Sequence, residues 1–442
     1  MGRVFLHPTP DEMPRTADVI VIGGGPAAAG ALWALERLQP GIRAVLVEKT
    51  ERLGAGSSTA SLECYRTCWP TPCIARQMAR SVEVFHNADE LIGEGASASL
   101  HLKEHGYLFC AFSESYADTL RADVRHLHSL GLTHIQYLDA AETRARFPFV
   151  GERIVGAKFD PIAGSLDSNA LIHALANSAR SARILLGMGD ISLRIDRGSV
   201  IGVDTERGFI SAPDVILAAG AGAVEIGRRA GLKLPVVMRP RQSFTTGWRH
   251  EAIPPTAPMI IGAPPAPHLR PEASSGAIFG YEYSWHNKHA PEANRAGGFV
   301  DALSAPVDNL SRLKDPRFPS LTLALLARQF GHKPGEGFND PRYLRSIYHN
   351  IGYYVARDET AAYRTQADGT RVPYESERAI ISTYPGVDGL TLSIAHSGHG
   401  IMTAPGGGEI AARYALGMGF PDETMLDFRI DAPWVAHDER VL

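Results

Sequence analysis

A run of apolar, largely β-branched residues, Asp18-Val-Ile-Val-Ile22, leads straight into Gly23-Gly24-Gly25-Pro26-Ala27-Ala28, and this junction restricts the fold more than any other feature of the chain. The run reads as a strand buried on both faces. The alanine-rich stretch from Ala27 to Leu38 has strong helix propensity. Gln39-Pro40-Gly41 ends that helix, and Arg43 to Glu48 reads as a second strand. Strand, glycine turn, helix and strand within about thirty residues is the order of a βαβ dinucleotide-binding unit.

Each position has a physical reason. Gly23 permits the tight turn, Gly25 lets backbone approach a pyrophosphate, and Ala28 lets the helix lie close to the strand. The first N–H groups of the helix and its positive dipole end favour phosphates. Glu48, at the end of the second strand, is placed to accept from a ribose hydroxyl. This unit alone leaves FAD and NAD both open.

A chain of 442 residues is long for one core, so two domains are expected. The net charge of −4 and the lack of basic runs argue against nucleic acid or an anionic membrane as partner. The longest apolar stretch, Asp18 to Trp33, is broken by glycines and Pro26 and is too short to span a bilayer. No basic-then-apolar secretion pattern opens the chain, so a cytoplasmic protein is expected. Cys64, Cys68, Cys73 and Cys110 lack the paired spacing of zinc ligands, so plain thiols and no metal are expected.

Further segments extend the pattern. Gly54-Ala-Gly-Ser-Ser-Thr59 and Cys64-Tyr-Arg66 follow the second strand. Asp160 to Asp167 precedes a helical run at Ala170 to Leu175. Val200 to Thr205 is followed by Asp214-Val-Ile-Leu-Ala-Ala-Gly-Ala-Gly222, an apolar strand ending at Gly220. Gly386 to Leu390 leads to His396-Ser-Gly-His-Gly400, with a helix-like run from Gly408 to Leu416. In order and spacing, from about Asp18 to Gly417, these segments resemble the D-amino-acid-oxidase-like superfamily of FAD-dependent oxidoreductases, the group of sarcosine oxidase, glycine oxidase and dimethylglycine dehydrogenase.

The resemblance implies an α/β protein with a Rossmann-type, glutathione-reductase-like FAD domain and an antiparallel-sheet substrate domain. Because the fingerprints fall at the start, middle and end of the chain, the FAD domain is expected from 17–90, 150–230 and 345–442. The substrate domain is then 91–149 and 231–344, with Gly106 to Phe112 and Gly276 to Tyr283 as its clearest strands. The segment from Ala302 to Asn350 reads as interrupted helices, a lid or an oligomer contact. The resemblance implies non-covalent FAD, with contacts from Gly23, Gly25, Ala28, Glu48, Lys49, Ser57, Ser58, Ile191, Gly220, Gly398, His399, Gly400 and Met402.

The implied chemistry is oxidation of a small amine or amino acid to the imine by hydride transfer to flavin, with oxygen, a protein or a quinone as acceptor. Catalytic or substrate-binding candidates are Arg66, Tyr281, Tyr283 and His399. His396 reads as a packed histidine, and Lys288 as a surface lysine or a cation promoting oxygen reduction. Sarcosine oxidases carry a basic carboxylate anchor where this chain has Met402, which favours a secondary or cyclic amine over a simple N-methyl amino acid. Oxidation of a 2-hydroxy acid and an electron-relay subunit of a larger complex are the alternative readings.

Overall fold

The computed structural model describes residues 3–282, 303–358, 363–365, 371–373 and 377–432. Its first sheet has seven strands in the spatial order Arg3–Leu6, Arg183–Leu186, Ala44–Val47, Val19–Ile22, Asp214–Leu217, Leu390–Ile394 and Ile380–Thr383. All neighbours pair in parallel except the last two. The central strand Val19–Ile22 is buried on both sides. Val19 and Val21 enter one apolar core, and Ile20 and Ile22 the other. That division explains why the strand is apolar at every position instead of alternating.

The first core is roofed by the helices Pro26–Leu38, Pro72–His86, Ser168–Ser178 and Ala404–Ala415. The C-terminal helix starts at Ala404, four residues before the expected Gly408. Glycine weakens an isolated helix, yet here close packing requires it. A Cβ on Gly408 would lie 2.2 Å from the carbonyl carbon of Gly30, and one on Gly30 would lie 2.1 Å from the Ala404 oxygen. The two helices touch backbone to backbone. The second core is closed by a three-stranded meander, Ile191–Asp196, Ser199–Thr205 and Gly208–Ser211.

The second sheet has eight strands, in the order Ile347–Arg357, Val236–Thr246, Gly276–Gly280, His268–Glu272, Met259–Ile261, Tyr107–Ala111, Gly156–Asp160 and Gln136–Asp139. It is antiparallel except where Met259–Ile261 meets Tyr107–Ala111. Ile347–Arg357 pairs with Val236–Thr246 along its whole length. This strand and Gly156–Asp160 thus belong to the second sheet, although both fall in segments expected in the FAD domain. Between 303 and 346 there is one α-helix, Phe318–Phe330, which sets Phe318 against Phe244 and adds Leu326 and Phe330 to the core on this face of the sheet. Among the described residues, no helix is long and apolar enough to cross a membrane.

Candidate active site

The carboxyl ends of the parallel strands meet at one edge of the first sheet, where ligands bind in open α/β sheets. Gly23 N donates to Val47 O at 2.9 Å, Ala218 N to Ile22 O at 2.9 Å, and Glu48 N to Leu185 O at 2.9 Å. Gly23 takes φ +122°, and a Cβ there would strike Ala218 O at 2.5 Å, so the turn demands glycine. The helix Pro26–Leu38 has no side-chain cap at Gly25, and a Cβ on Gly25 would meet nothing within 4 Å. No side chain at Gly25 therefore caps the first N–H groups of this helix. Glu48 Oε1 accepts from Thr50 N at 2.9 Å and Thr50 Oγ1 at 2.7 Å, while Oε2 has no partner among the described residues. Gly220, at φ +53°, also opens onto free space.

The chain after Glu48 folds back against this edge. Gly54 N donates to Gly24 O at 2.8 Å, and Ser57 Oγ accepts from Tyr353 N at 2.8 Å. Ser57 thereby ties the loop to the edge strand of the second sheet. Farther on, the fully buried carboxylate of Asp160 accepts from Thr67 N at 2.7 Å, Thr67 Oγ1 at 2.9 Å and Cys68 N at 3.0 Å. These bonds fix the backbone between Arg66 and Trp69. Burial, with Asp160 beside it, pushes the Cys68 thiol up to about 12, so Cys68 stays protonated.

Arg66 is only 5% exposed and makes no hydrogen bond or ion pair with a described residue, yet its nitrogens are not sealed from solvent. Its guanidinium carbon lies 4.0 Å from the centroid of the Trp69 ring. The His399 ring packs on the same indole, tilted by 59° with ring centroids 4.8 Å apart, and its Nδ1 lies 3.5 Å from Glu377 Oε2. Burial, then the neighbouring His396 and Arg66, hold His399 down at about 3. It is neutral at physiological pH.

His399 belongs to a strained turn. Ala395 and Ser397 take φ +60° and +47°, and Ser397 N donates to Val355 O at 2.8 Å. Gly398 owes its missing side chain to Tyr354: a Cβ there would lie 2.5 Å from the phenol ring. The sequence logic of the resemblance places flavin, not protein, against that glycine.

Residues 18–414 match the family model described as FAD dependent oxidoreductase. The chain belongs to this family. It is 24% identical over 363 residues to sarcosine oxidase subunit beta of Rhizobium meliloti, covering 78% of this chain and 81% of that one. It is 27% identical to human mitochondrial sarcosine dehydrogenase over 61% of this chain, but the match spans only 29% of that longer protein. Among solved structures, L-proline dehydrogenase from P. horikoshii superposes with a TM-score of 0.70 at 20% identity, over 91% of this chain and 93% of that one. Glycine oxidase from Geobacillus kaustophilus gives 0.67 at 19% identity, over 95% and 100%.

FAD is the cofactor of this family, and the residues fit it: an uncapped helix end for the pyrophosphate, open space at Gly25, and an acceptor at Glu48. Gly23, Gly25, Ala28, Glu48, Gly220 and the turn 398–400 gather at the carboxyl edge. Exposed Lys49 and half-buried Ser58 flank that loop, whereas Ile191 and Met402 are buried in the two cores. Tyr281 lies beyond the strand end at Gly280 and stacks on Phe318 at 4.9 Å, in the core of the second sheet. Tyr283 and Lys288 lie outside the described residues. Sequence reasoning missed Trp69, Asp160 and Tyr354. Only the glycine at 398 hints at a bulky neighbour.

Proposed function

We propose that this enzyme oxidises a small amino acid, with a secondary or cyclic amine favoured, to the corresponding imine. The observation that carries the reading is Arg66, a buried cation beside Trp69 and unmatched by any acid among the described residues. Such a group costs stability unless a ligand anion meets it. A substrate carboxylate is that anion, and relatives named for sarcosine, dimethylglycine and glycine act on compounds that carry one.

FAD, held non-covalently at Gly23, Gly25 and Glu48, would supply the hydride acceptor for the carbon bearing the amine, and the proton lost from the nitrogen would pass to water. Arg66 holds the carboxylate by charge-assisted hydrogen bonds and so orients that carbon. Neutral His399 adds no second positive charge beside Arg66. Met402, buried in the first core, offers no second cation either, so the substrate is held at one end and its bulk must fill the remaining space. A cyclic or larger amine does this better than glycine or sarcosine.

Anaerobic mixing of the yellow holoenzyme with a panel of amines, amino acids and 2-hydroxy acids tests the reading. Cyclic amino acids should bleach the flavin faster than glycine or sarcosine, and admission of air then reports whether oxygen is the acceptor. Bleaching by 2-hydroxy acids alone contradicts the proposal.

A further inference from the structure

Arg66 is held by ring faces where other buried arginines are held by acceptors. Arg249 donates to the carbonyls of Ile253, Ser274 and Gly276, and Arg357 to those of Arg378, Ala379, Phe428 and Arg429. Arg66 has instead the Trp69 ring at 4.0 Å and the Phe109 ring at 5.6 Å. The difference matters chemically. A carboxylate partner neutralises an arginine and occupies its donors. An aromatic face attracts the cation through its quadrupole and takes none of the N–H groups. Stacking also fixes the plane of the guanidinium, in which a carboxylate must lie to accept two parallel hydrogen bonds.

We propose that Trp69 is a positioning residue for substrate recognition: its ring sets the plane of Arg66 and so makes the site selective for a carboxylate. This rests on the reading that Arg66 receives the substrate carboxylate. Trp69 is itself fixed from behind. Its backbone N donates to Thr67 O at 2.7 Å, and Thr67 is held by Asp160. The same ring carries His399 at 4.8 Å, so the loop and the closing turn meet on one side chain. The indole N–H is buried and has no partner among the described residues, and the contacts with Arg66 and His399 are made by the ring.

The test uses the holoenzyme and two probes read by the perturbation of the flavin spectrum: pyrrole-2-carboxylate, a planar relative of a cyclic amino acid that cannot be oxidised in the same way, and the neutral pyrrole-2-carboxamide. Trp69→Leu should weaken the carboxylate by about tenfold or more, as expected for a desolvated cation–π contact, and leave the carboxamide unchanged. Trp69→Phe, which keeps a ring, should stay within about threefold of wild type. In anaerobic reduction by a cyclic amino acid, Trp69→Leu should raise the half-saturating concentration by a larger factor than it lowers the limiting rate. Thermal unfolding checks that each variant is folded. Equal loss of both probes, or no loss of either, overturns the role of Trp69. Carboxylate binding that survives Arg66→Met, or is absent from the wild type, overturns the Arg66 reading beneath it.

Discussion

At the nucleotide end of the site, backbone does the positioning. Gly23, Glu48 and Ala218 are set by main-chain hydrogen bonds between neighbouring parallel strands, and the helix after Gly25 is aimed by the strand that precedes it. At the substrate end, side chains do it. Arg66, Phe109, Tyr354 and His399 come from four distant parts of the chain, and Trp69 and Gly398 bring three of them together. A backbone-built end can serve any enzyme that binds the same dinucleotide. A side-chain-built end can be re-cut for a new substrate without disturbing the sheet, provided the loop from Arg66 to Trp69 keeps its shape.

The contrast can be broken most severely where the two helices roofing the sheet meet. Gly408→Val would drive a side chain into the Gly30 backbone, with no flexible neighbour to yield. Overpacking against main chain should cost more than about 4 kcal/mol, so little folded flavoprotein should accumulate. Yellow, normally melting protein from this variant would show that the helices can separate cheaply. Asp160→Ala comes next. It strands the buried N–H groups of Thr67 and Cys68 and should lower stability by about 3 kcal/mol in denaturant titration. Because the loss falls on the Arg66 loop, FAD retention in the folded fraction should change little. A variant that sheds FAD but melts normally would mean that the two ends are not independently built.

That independence also decides what could be read from sequence. The βαβ unit was legible because strand, turn, helix and acid are contiguous and each follows from local chemistry. The helical run expected from Ala170 was legible too; the structure adds that Asp167 caps it by accepting from Ala170 N. The triple glycine at 406–408 misled, since low propensity suggests a loop; contacts with Gln77 and Gly30 override it. Trp69 gave no signal, Asp160 stood only as the start of a segment, and Tyr354 showed only through the glycine at 398. Tyr354 reaches Gly398 only because an edge strand of the second sheet passes beside the closing turn, and no local pattern encodes that crossing. Tyr281 shows the converse: it was expected on a strand and in the site, but it lies past the strand end and packs on Phe318.

Smaller effects sharpen the comparison. Glu48→Ala removes one charged acceptor at the nucleotide end, worth about 1.5–3 kcal/mol. FAD retention on dialysis should fall by about tenfold or more, while carboxylate binding by the reloaded enzyme stays as in wild type. Unchanged retention would remove Glu48 from the ribose site. Acidification should act at the other end. His399 and His396 are held neutral by burial, down to about 3 and about 4, against an ordinary value of 6.5. Protons bind them in the unfolded chain first, so their contribution to stability is complete above pH 6.5 and declines as pH falls toward 4. Replacing His399 with Gln should flatten that decline; an unaltered profile would show that His399 does not carry it.

The central claim is that Arg66 selects substrates by their carboxylate, and one ratio tests it directly. The anaerobic rate of flavin reduction at low substrate should be measured for a cyclic amino acid and for the same amine without its carboxyl group, in wild type and in Arg66→Met. Wild type should prefer the acid by about a hundredfold, in line with a charged hydrogen-bonded pair of 2–3 kcal/mol or more, and Arg66→Met should erase the preference by losing rate on the acid alone. A preference that persists in Arg66→Met, or a wild type that reduces its flavin equally well with either compound, would contradict the account.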